Sequence, residues 1–166
     1  MDPRADAPDA DLAAFYAQSY ARLVGVVGAI AQDRDAAEEA VQDAFVRLLG
    51  QWSRVAAYDD PEAWVRKVAL GFVSNRRRKL RNDLRALARL SPPSDQPPPG
   101  VDGVDLRRAL AALPRDQRAV VVLQETGLPL VAIADQLGVP VGTVKSRLSR
   151  ARATLAPLLR EEADRV

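Results

Sequence analysis

The stretch LPLVAIADQLGVPVGTVKSRLSRARATL, residues 128–155, determines the fold class of this chain. Its first half spaces Leu130, Ile133 and Leu137 as the buried stripe of a short helix, and Gly138 follows where a helix end favours a left-handed residue. A second helix then carries its own apolar stripe, formed by Val144, Leu148, Ala151 and Leu155. Two short helices that meet across a tight turn predict a helix-turn-helix.

The outward face of the second helix is small in its centre and basic around it. At about 100° per residue, the direction opposite the apolar stripe holds Gly142, Ser146, Ser149, Arg150 and Ala153, and the flanks hold Thr143, Lys145, Arg147 and Arg152. Small residues let a helix enter a major groove about 12 Å wide, while Arg and Lys reach base edges or phosphates. The pattern predicts a DNA-reading helix, and the alternative is a solvated basic face on an ordinary helical hairpin.

The composition limits the class of protein. The chain has 166 residues without cysteine or histidine, which excludes disulfides, thiol nucleophiles and the usual zinc ligands. We therefore expect no metal, no cofactor and no enzymatic activity. The longest uncharged apolar run, residues 23–31, is far shorter than the roughly 20 residues that span a bilayer, and the first residues do not resemble a signal peptide. We expect a soluble, cytoplasmic protein without membrane insertion.

Charge is distributed unevenly, although the net charge is only +2. Residues 33–62 carry eight acids against three arginines, whereas residues 63–89 carry nine basic residues against Asp83 alone. Only three of the 24 basic residues are lysine, so the chain favours the planar guanidinium group, which suits phosphates and base edges.

Prolines divide the chain into two parts. Residues 91–104, SPPSDQPPPGVDGV, contain five prolines and two glycines and predict a linker between residues 12–90 and residues 105–160. The acidic residues 1–11 predict a disordered tail. We expect an all-α chain of two small helical domains, a helical bundle and a helix-turn-helix, joined by this flexible proline-rich linker.

Three main helices are predicted in the N-terminal part. One runs roughly over residues 12–31, and a second over residues 35–52, with Asp35 and Glu38 as a capping pair. A third begins at Pro61 after Asp60 as its N-cap, turns Trp64, Val68 and Phe72 inward, and continues into a basic run. The loop between the last two helices carries a tyrosine, Tyr58, that can stack on an unpaired base.

The two parts resemble two regions of a known family. DAAEEAVQDAFVRLL, residues 35–49, and DDPEAWVRKVALGFVSNRRRK, residues 59–79, resemble region 2 of sigma-70 family factors of bacterial RNA polymerase. ALAALPRDQRAVVVLQETGLPLVAIADQLGVPVGTVKSRLSRARATL, residues 109–155, resembles region 4. Because no region 3 domain lies between them, the chain is similar to the extracytoplasmic-function (ECF) group of these factors.

The resemblance implies partners and site residues. The implied partners are core RNA polymerase, through its β′ clamp helices and β flap, promoter DNA, and an anti-sigma factor as a further candidate. The implied polymerase-binding residues are Glu38, Glu39, Gln42 and Asp43. The third helix and its loop would melt and read the −10 promoter element through Tyr58, Trp64, Arg66, Lys67, Asn75, Arg76 and Arg77. The helix-turn-helix would read the −35 element, with Lys145, Ser146, Ser149 and Arg150 at base edges and Thr143, Arg147 and Arg152 nearer phosphates.

Departures from the family pattern and other protein classes leave alternatives open. Many members carry Asn where this chain has Gly71, and Asp where it has Asn75, so the −10 preference stays open.

A helix-turn-helix regulator that binds an operator as a dimer is one alternative, and it needs palindromic half-sites about one helical turn apart. A nucleic-acid-processing enzyme is another, with little support because no acids with metal-site spacing accompany the basic helix.

Overall fold

The computed structural model of the chain describes residues 7–87 and 104–163. These residues form eight α-helices and no strand, which confirms the predicted all-α fold. The N-terminal part contains α1 (Ala7–Ala31), α2 (Arg34–Leu49), α3 (Trp52–Val55) and α4 (Pro61–Leu87). The C-terminal part contains α5 (Val104–Ala111), α6 (Arg115–Glu125), α7 (Leu130–Leu137) and α8 (Val141–Ala163).

Acidic side chains begin two of the main helices. At the start of α4 the Asp60 side chain accepts a hydrogen bond of 3.0 Å from the backbone N–H of Ala63, which confirms the predicted N-cap. At the start of α2 the predicted cap is wrong by two residues. The N-cap is Asp33, whose backbone is extended and whose side chain accepts a hydrogen bond of 3.0 Å from the N–H of Ala36. Asp35 lies inside the first turn of the helix.

Other boundaries also differ from the predictions. Helix α1 begins at Ala7, so residues 7–11 of the predicted tail are helical. Pro8 is compatible with this start, because the N–H that proline lacks has no intrahelical partner in the first turn. Helix α2 ends at Leu49, and Trp52 begins the separate α3. Residues 1–6 and all of the predicted linker except Val104 lie outside the described residues.

The N-terminal bundle buries one stripe from each long helix. Leu23, Val27 and Ile30 come from α1, Val41, Phe45 and Leu48 from α2, and Val65, Ala69 and Val73 from α4. Phe15 of α1 stacks on Trp52 with ring centroids 5.3 Å apart, which closes one end of the bundle. The predicted inward stripe of α4 is displaced by one residue: Trp64, Val68 and Phe72 pack against this core but remain partly exposed.

A buried arginine connects the C-terminal helices to the bundle. Arg118 of α6 is 8% exposed and donates hydrogen bonds to Leu110 O at 2.7 Å, Leu113 O at 2.9 Å and Ile30 O at 2.9 Å. The first two acceptors belong to the C-terminal part, and the third belongs to α1. Burial, and then the charges of Arg77 and Arg115, lower the pKa of Arg118. The two parts therefore contact each other directly, and their buried residues form one continuous cluster.

None of the described helices is both long enough and apolar enough to cross a membrane.

Candidate nucleic-acid interface

The helix-turn-helix forms where the sequence predicts it. Gly138 ends α7 with a φ of 64°, in the left-handed region. Across the turn, the N–H of Val139 donates a hydrogen bond of 3.0 Å to Ala134 O. Ile133 and Ala134 of α7 are buried, as are Val144, Leu148 and Ala151 of α8. This packing fixes which face of α8 points away from the protein.

The centre of the outward face of α8 is open to solvent. Its exposed side chains are those of Lys145, Ser146, Ser149, Arg150 and Arg152. Ser146 donates its hydroxyl hydrogen to Thr143 O at 3.0 Å, and Arg152 donates to Gln124 Oε1 at 3.3 Å. No side-chain partner is recorded among the described residues for Lys145 or Arg150, so both cations are available to a ligand on this face.

Arg147 differs from the other predicted contacts on α8. Its side chain is only 22% exposed, and its Nη2 lies 2.9 Å from Asp116 Oδ2 at the start of α6. Thr143 is also half-buried. The flank of α8 that carries Thr143 and Arg147 is therefore largely closed, whereas Lys145 and Arg152 on the opposite flank are exposed.

One predicted −10 contact is buried in this structure. Arg66 is 5% exposed, and its Nη2 lies 3.2 Å from Glu62 Oε1. Glu62 also accepts hydrogen bonds from Arg22 of α1. Burial by itself would raise the pKa of Glu62, but the hydrogen bonds and charges of both arginines outweigh it and hold that pKa below its ordinary value. Glu62 therefore joins Arg66, on its own helix, to Arg22 of α1, and the Arg66 side chain is buried in the free chain.

The remaining predicted −10 residues differ in accessibility. Lys67, Asn75 and Arg77 are exposed on α4, Tyr58 is 42% exposed in the turn before it, and Trp64 is half-buried. The side-chain oxygen of Asn75 accepts a hydrogen bond of 3.0 Å from Arg78 Nη2 on the same helix. Arg76 forms an ion pair with Glu39 of α2. These side chains extend along most of α4 and form no single compact cluster.

The acidic face of α2 is partly used within the chain. Glu38 accepts a hydrogen bond of 2.9 Å from Arg34, and Glu39 forms an ion pair with Arg76. The Gln42 amide donates a hydrogen bond of 3.2 Å to the Tyr20 hydroxyl. Among the described residues, Asp43 has no recorded hydrogen-bond or ion-pair partner and is exposed. Asp43 is consequently available to a partner, and the exposed Gln42 lies beside it on the same helix.

An apolar groove beside Gln42 was missed by the sequence analysis. Its exposed walls are Tyr16, Val46 and Leu49, which are 41%, 66% and 65% exposed, and Leu12, Ala13 and Phe45 complete the lining. Gln42, Val46 and Leu49 follow an i, i+4, i+7 spacing on α2, which is a second helical stripe beside the buried one. That spacing was the available signal, and the stronger buried stripe obscured it.

In the part of the chain that the structure describes, no three carboxylate, thiol or imidazole groups gather in a way that could hold a metal ion.

Comparisons with known proteins match both parts of the chain. The family models described as "Sigma-70 region 2" and "Sigma-70, region 4" match residues 15–83 and 103–155. The chain is 34% identical to the ECF RNA polymerase sigma factor SigM of Mycobacterium tuberculosis, over 83% of this chain and 70% of that protein. It is 31% identical to the probable RNA polymerase sigma factor RfaY of Xanthomonas campestris pv. campestris, over 89% of this chain, and spans only 42% of that relative's length.

A solved structure has the same fold. The sigma factor RpoE from Bartonella quintana, in a co-crystal with the anti-sigma factor NepR, matches with a TM-score of 0.75 and 24% identity. The match covers 90% of this chain and 97% of that one. The region 2 and region 4 matches and the identity to SigM show that the chain belongs to the extracytoplasmic-function (ECF) group of the sigma-70 family, the RNA polymerase sigma factors of transcription initiation.

Proposed function

We propose that this chain directs core RNA polymerase to a bipartite promoter, where its C-terminal part reads the −35 element and its N-terminal part reads and melts the −10 element. The observation that carries the proposal is the open, small and basic face of α8 on a well-formed helix-turn-helix. The basic helix α4 lies on the other part of the same chain and supplies a second surface for DNA. Because its proposed partner, core RNA polymerase, is cytoplasmic, the protein acts in the cytoplasm.

Reading of the −35 element rests on the exposed side chains of α8. Lys145 and Arg150 can reach guanine O6 and N7 in the major groove, and Ser149 leaves room for the helix to approach the bases. Ser146 lies on the same face, with its hydroxyl hydrogen bonded to its own helix. Arg152 and the half-buried Thr143 are placed for phosphates at the edge of the groove.

Reading of the −10 element rests on α4 and the turn before it. The half-exposed ring of Tyr58 and the edge of Trp64 offer stacking surfaces for an unpaired base, a contact worth about 1–3 kcal/mol. Lys67 and Arg77 supply charge for the displaced strand, and Asn75 can contact a base edge once its bond to Arg78 opens. Arg76 requires release from Glu39 before it can contribute.

Binding of core polymerase is proposed for the surface that joins Gln42 and Asp43 to the apolar groove of Tyr16, Val46 and Leu49. A polar rim around exposed apolar side chains is the usual composition of a protein interface. The β′ clamp helices are the partner that the family implies for this surface, and the β flap is the implied partner of the C-terminal part. An anti-sigma factor is a further proposed partner, supported by the co-crystal partner of the structural relative.

Transcription from a fragmented genomic template by bacterial core polymerase, with mapping of the 5′ ends, tests the function. We expect defined start sites preceded by two shared sequence elements, and Lys145→Ala with Arg150→Ala should abolish them. Arg107→Ala, which removes an exposed arginine of α5, is the matched control. Absence of specific transcripts from an active polymerase would contradict the proposal. Tight binding of a palindromic duplex by the chain alone would favour the dimeric regulator.

A further inference from the structure

Arg152, on the exposed flank of α8, is hydrogen-bonded to a neutral side chain of another helix. Its Nη2 donates a hydrogen bond of 3.3 Å to Oε1 of Gln124, which lies near the end of α6. Arg147, on the other flank, is paired instead with the carboxylate of Asp116. A carboxylate neutralises the cation that it binds, whereas an amide oxygen restrains a guanidinium group and leaves its charge intact. Only Arg152 is therefore both restrained and fully charged.

The backbone that carries Gln124 is fixed by the end of α6. Its carbonyl oxygen accepts a hydrogen bond of 2.9 Å from the N–H of Gly127, whose φ of 84° turns the chain out of the helix. The preceding residue, Leu123, is buried in the core, and Gln124 itself is half-buried. A side chain on such a support holds its polar atom in a defined place, as the orientation of a neighbouring group requires.

Gln124 and Arg152 border a hollow on the outward side of α8. The residues that line it are Gln124, Leu130, Lys145, Leu148, Ser149 and Arg152. Lys145 and Arg152 lie about 10 Å apart along the helix axis, on the same side of α8. Because Ser149 between them is small, a DNA strand can approach both cations without meeting a bulky side chain.

We propose that Gln124 is a positioning residue, which holds the guanidinium group of Arg152 at the border of this hollow for a phosphate of the −35 element. The inference rests on the proposed function, because the phosphate belongs to a promoter element. It assigns to α6 a part in promoter binding that acts through Arg152 and not through a contact of Gln124 with DNA.

The advantage of this arrangement is that Arg152 loses less freedom when DNA binds. Arginine has many side-chain rotamers, and immobilising such a side chain at an interface lowers affinity by about two- to tenfold. The bond to Gln124 restricts Arg152 before DNA arrives, so part of this loss is avoided. Since the guanidinium group has several N–H donors in a fixed fork, the bond to one amide oxygen leaves others for a phosphate.

Nitrogen relaxation of the arginine side chains in the free chain tests whether Gln124 orders Arg152. Arg150, exposed on the same helix with no recorded side-chain partner among the described residues, is the internal reference. We expect Arg152 to be clearly more ordered than Arg150. Gln124→Met keeps the length of the side chain and removes the acceptor, so it should lower the order of Arg152 to that of Arg150. Gln18→Met, the same change at an exposed glutamine of α1, is the control and should leave Arg152 unchanged.

Promoter binding by the chain in complex with core polymerase tests the role on DNA. Arg152→Ala should weaken binding to all −35 sequences alike and lower the salt slope by about one. Gln124→Met should weaken binding by about two- to tenfold with the salt slope unchanged, because the charge of Arg152 remains. In the Arg152→Ala background, Gln124→Met should have no further effect. Gln124→Glu should lower the salt slope, because a carboxylate there would neutralise Arg152.

Thermal unfolding first establishes that each variant folds, and Gln124→Ala replaces Gln124→Met where the latter does not. Equal order of Arg152 and Arg150 in the parent chain overturns the positioning role. So do effects of Gln124→Met and Arg152→Ala on promoter binding that simply add, because a residue that acts through Arg152 has no effect without it. Promoter binding that Arg152→Ala leaves unchanged overturns the phosphate contact. Absence of a promoter-specific complex with the parent chain contradicts the proposed function, and the relaxation result then decides whether Gln124 orders Arg152.

Discussion

Asp116 and Arg147 form an ion pair of 2.9 Å that ties the reading helix α8 to the first turn of α6. The sequence places Arg147 on the flank of α8 and predicts a phosphate contact. The pair withdraws most of this side chain from solvent, so the residue has a structural role in the free chain as well as a proposed role on DNA. Arg150, three residues further on, remains exposed.

Arg150→Ala should flatten the preference for one −35 base pair, because its guanidinium faces away from the apolar stripe of α8. Loss of a good base contact costs about 1–3 kcal/mol and relaxes specificity at a single position. Transcription from a promoter library saturated across the −35 element measures this preference. An equal loss at every library member would show that α8 is rotated in the groove.

Arg147→Ala and Asp116→Ala should separate the structural role of Arg147 from its phosphate role. Each change removes the ion pair, so each should lower the free energy of unfolding by about 0.2–1 kcal/mol. Only Arg147→Ala should lower the salt slope of promoter binding by about one and weaken all −35 sequences alike. Measurements at two salt concentrations check this, and equal slopes for the two variants would exclude the phosphate contact.

Gln42→Ala with Asp43→Ala should weaken binding of core polymerase at little cost in stability. Both side chains are exposed, and exposed substitutions change stability by less than about 0.5 kcal/mol. Leu49→Ser, which removes an apolar wall of the adjacent groove, should add to the loss of affinity. Asp35→Ala, an exposed acid in the first turn of the same helix, is the control. Unchanged polymerase affinity in the double variant would show that the interface lies elsewhere on the chain.

Glu62→Gln should reduce stability at neutral pH by roughly 1 kcal/mol, because it weakens the charged bonds to Arg22 and Arg66. The pKa of Glu62 in the folded chain lies below its ordinary value of 4.5, so its stabilising contribution is complete above that value. It is lost as the pH falls through the lowered folded-state pKa. Unfolding curves of both proteins should therefore converge in acid, and a difference independent of pH would contradict the ionic origin.

Gly138→Ala should lower the free energy of unfolding by roughly 1–2 kcal/mol, because φ of 64° strains any side-chain-bearing residue except Asn or Asp. Beyond the adjoining residues a Cβ there would meet no atom within 4 Å, so the cost comes from the local backbone conformation and not from a clash with a distant residue. Gly142→Ala is the matched control, because it lies inside α8 with equally open space and should be stabilising by about 0.5–1 kcal/mol. Equal effects of both changes would contradict this account of the turn.

Local signals in the sequence were sufficient for the helices and the helix-turn-helix. Asp60 before Pro61 and the position of Gly138 act within a few residues, and both were interpreted correctly. The apolar spacing of α4 gave the helix but not its buried face, because Trp64, Val68 and Phe72 lie one residue before the buried Val65, Ala69 and Val73. The N-cap at Asp33 was missed because two candidate acids stand two residues apart, and the backbone conformation decides between them.

Features set by distant residues could not be predicted in the same way. Arg66 has the spacing of a surface residue, and its burial depends on Glu62 and on Arg22, which lies 40 residues from Glu62 in the sequence. The bond from Arg118 to Ile30 O joins residues 88 positions apart. A helical wheel contains no information about such partners, so the contacts between the two parts emerge only from the folded chain.

The spacing between the two promoter elements provides the most direct test of the central claim, that two linked modules read one promoter together with polymerase. A promoter mapped with this factor is changed by inserting about five base pairs between its two intact elements. This insertion rotates the two elements by half a helical turn relative to each other. We predict that this insertion abolishes transcription while each element alone remains necessary. Transcription that persists regardless of spacing, or that needs only one element, would contradict the account.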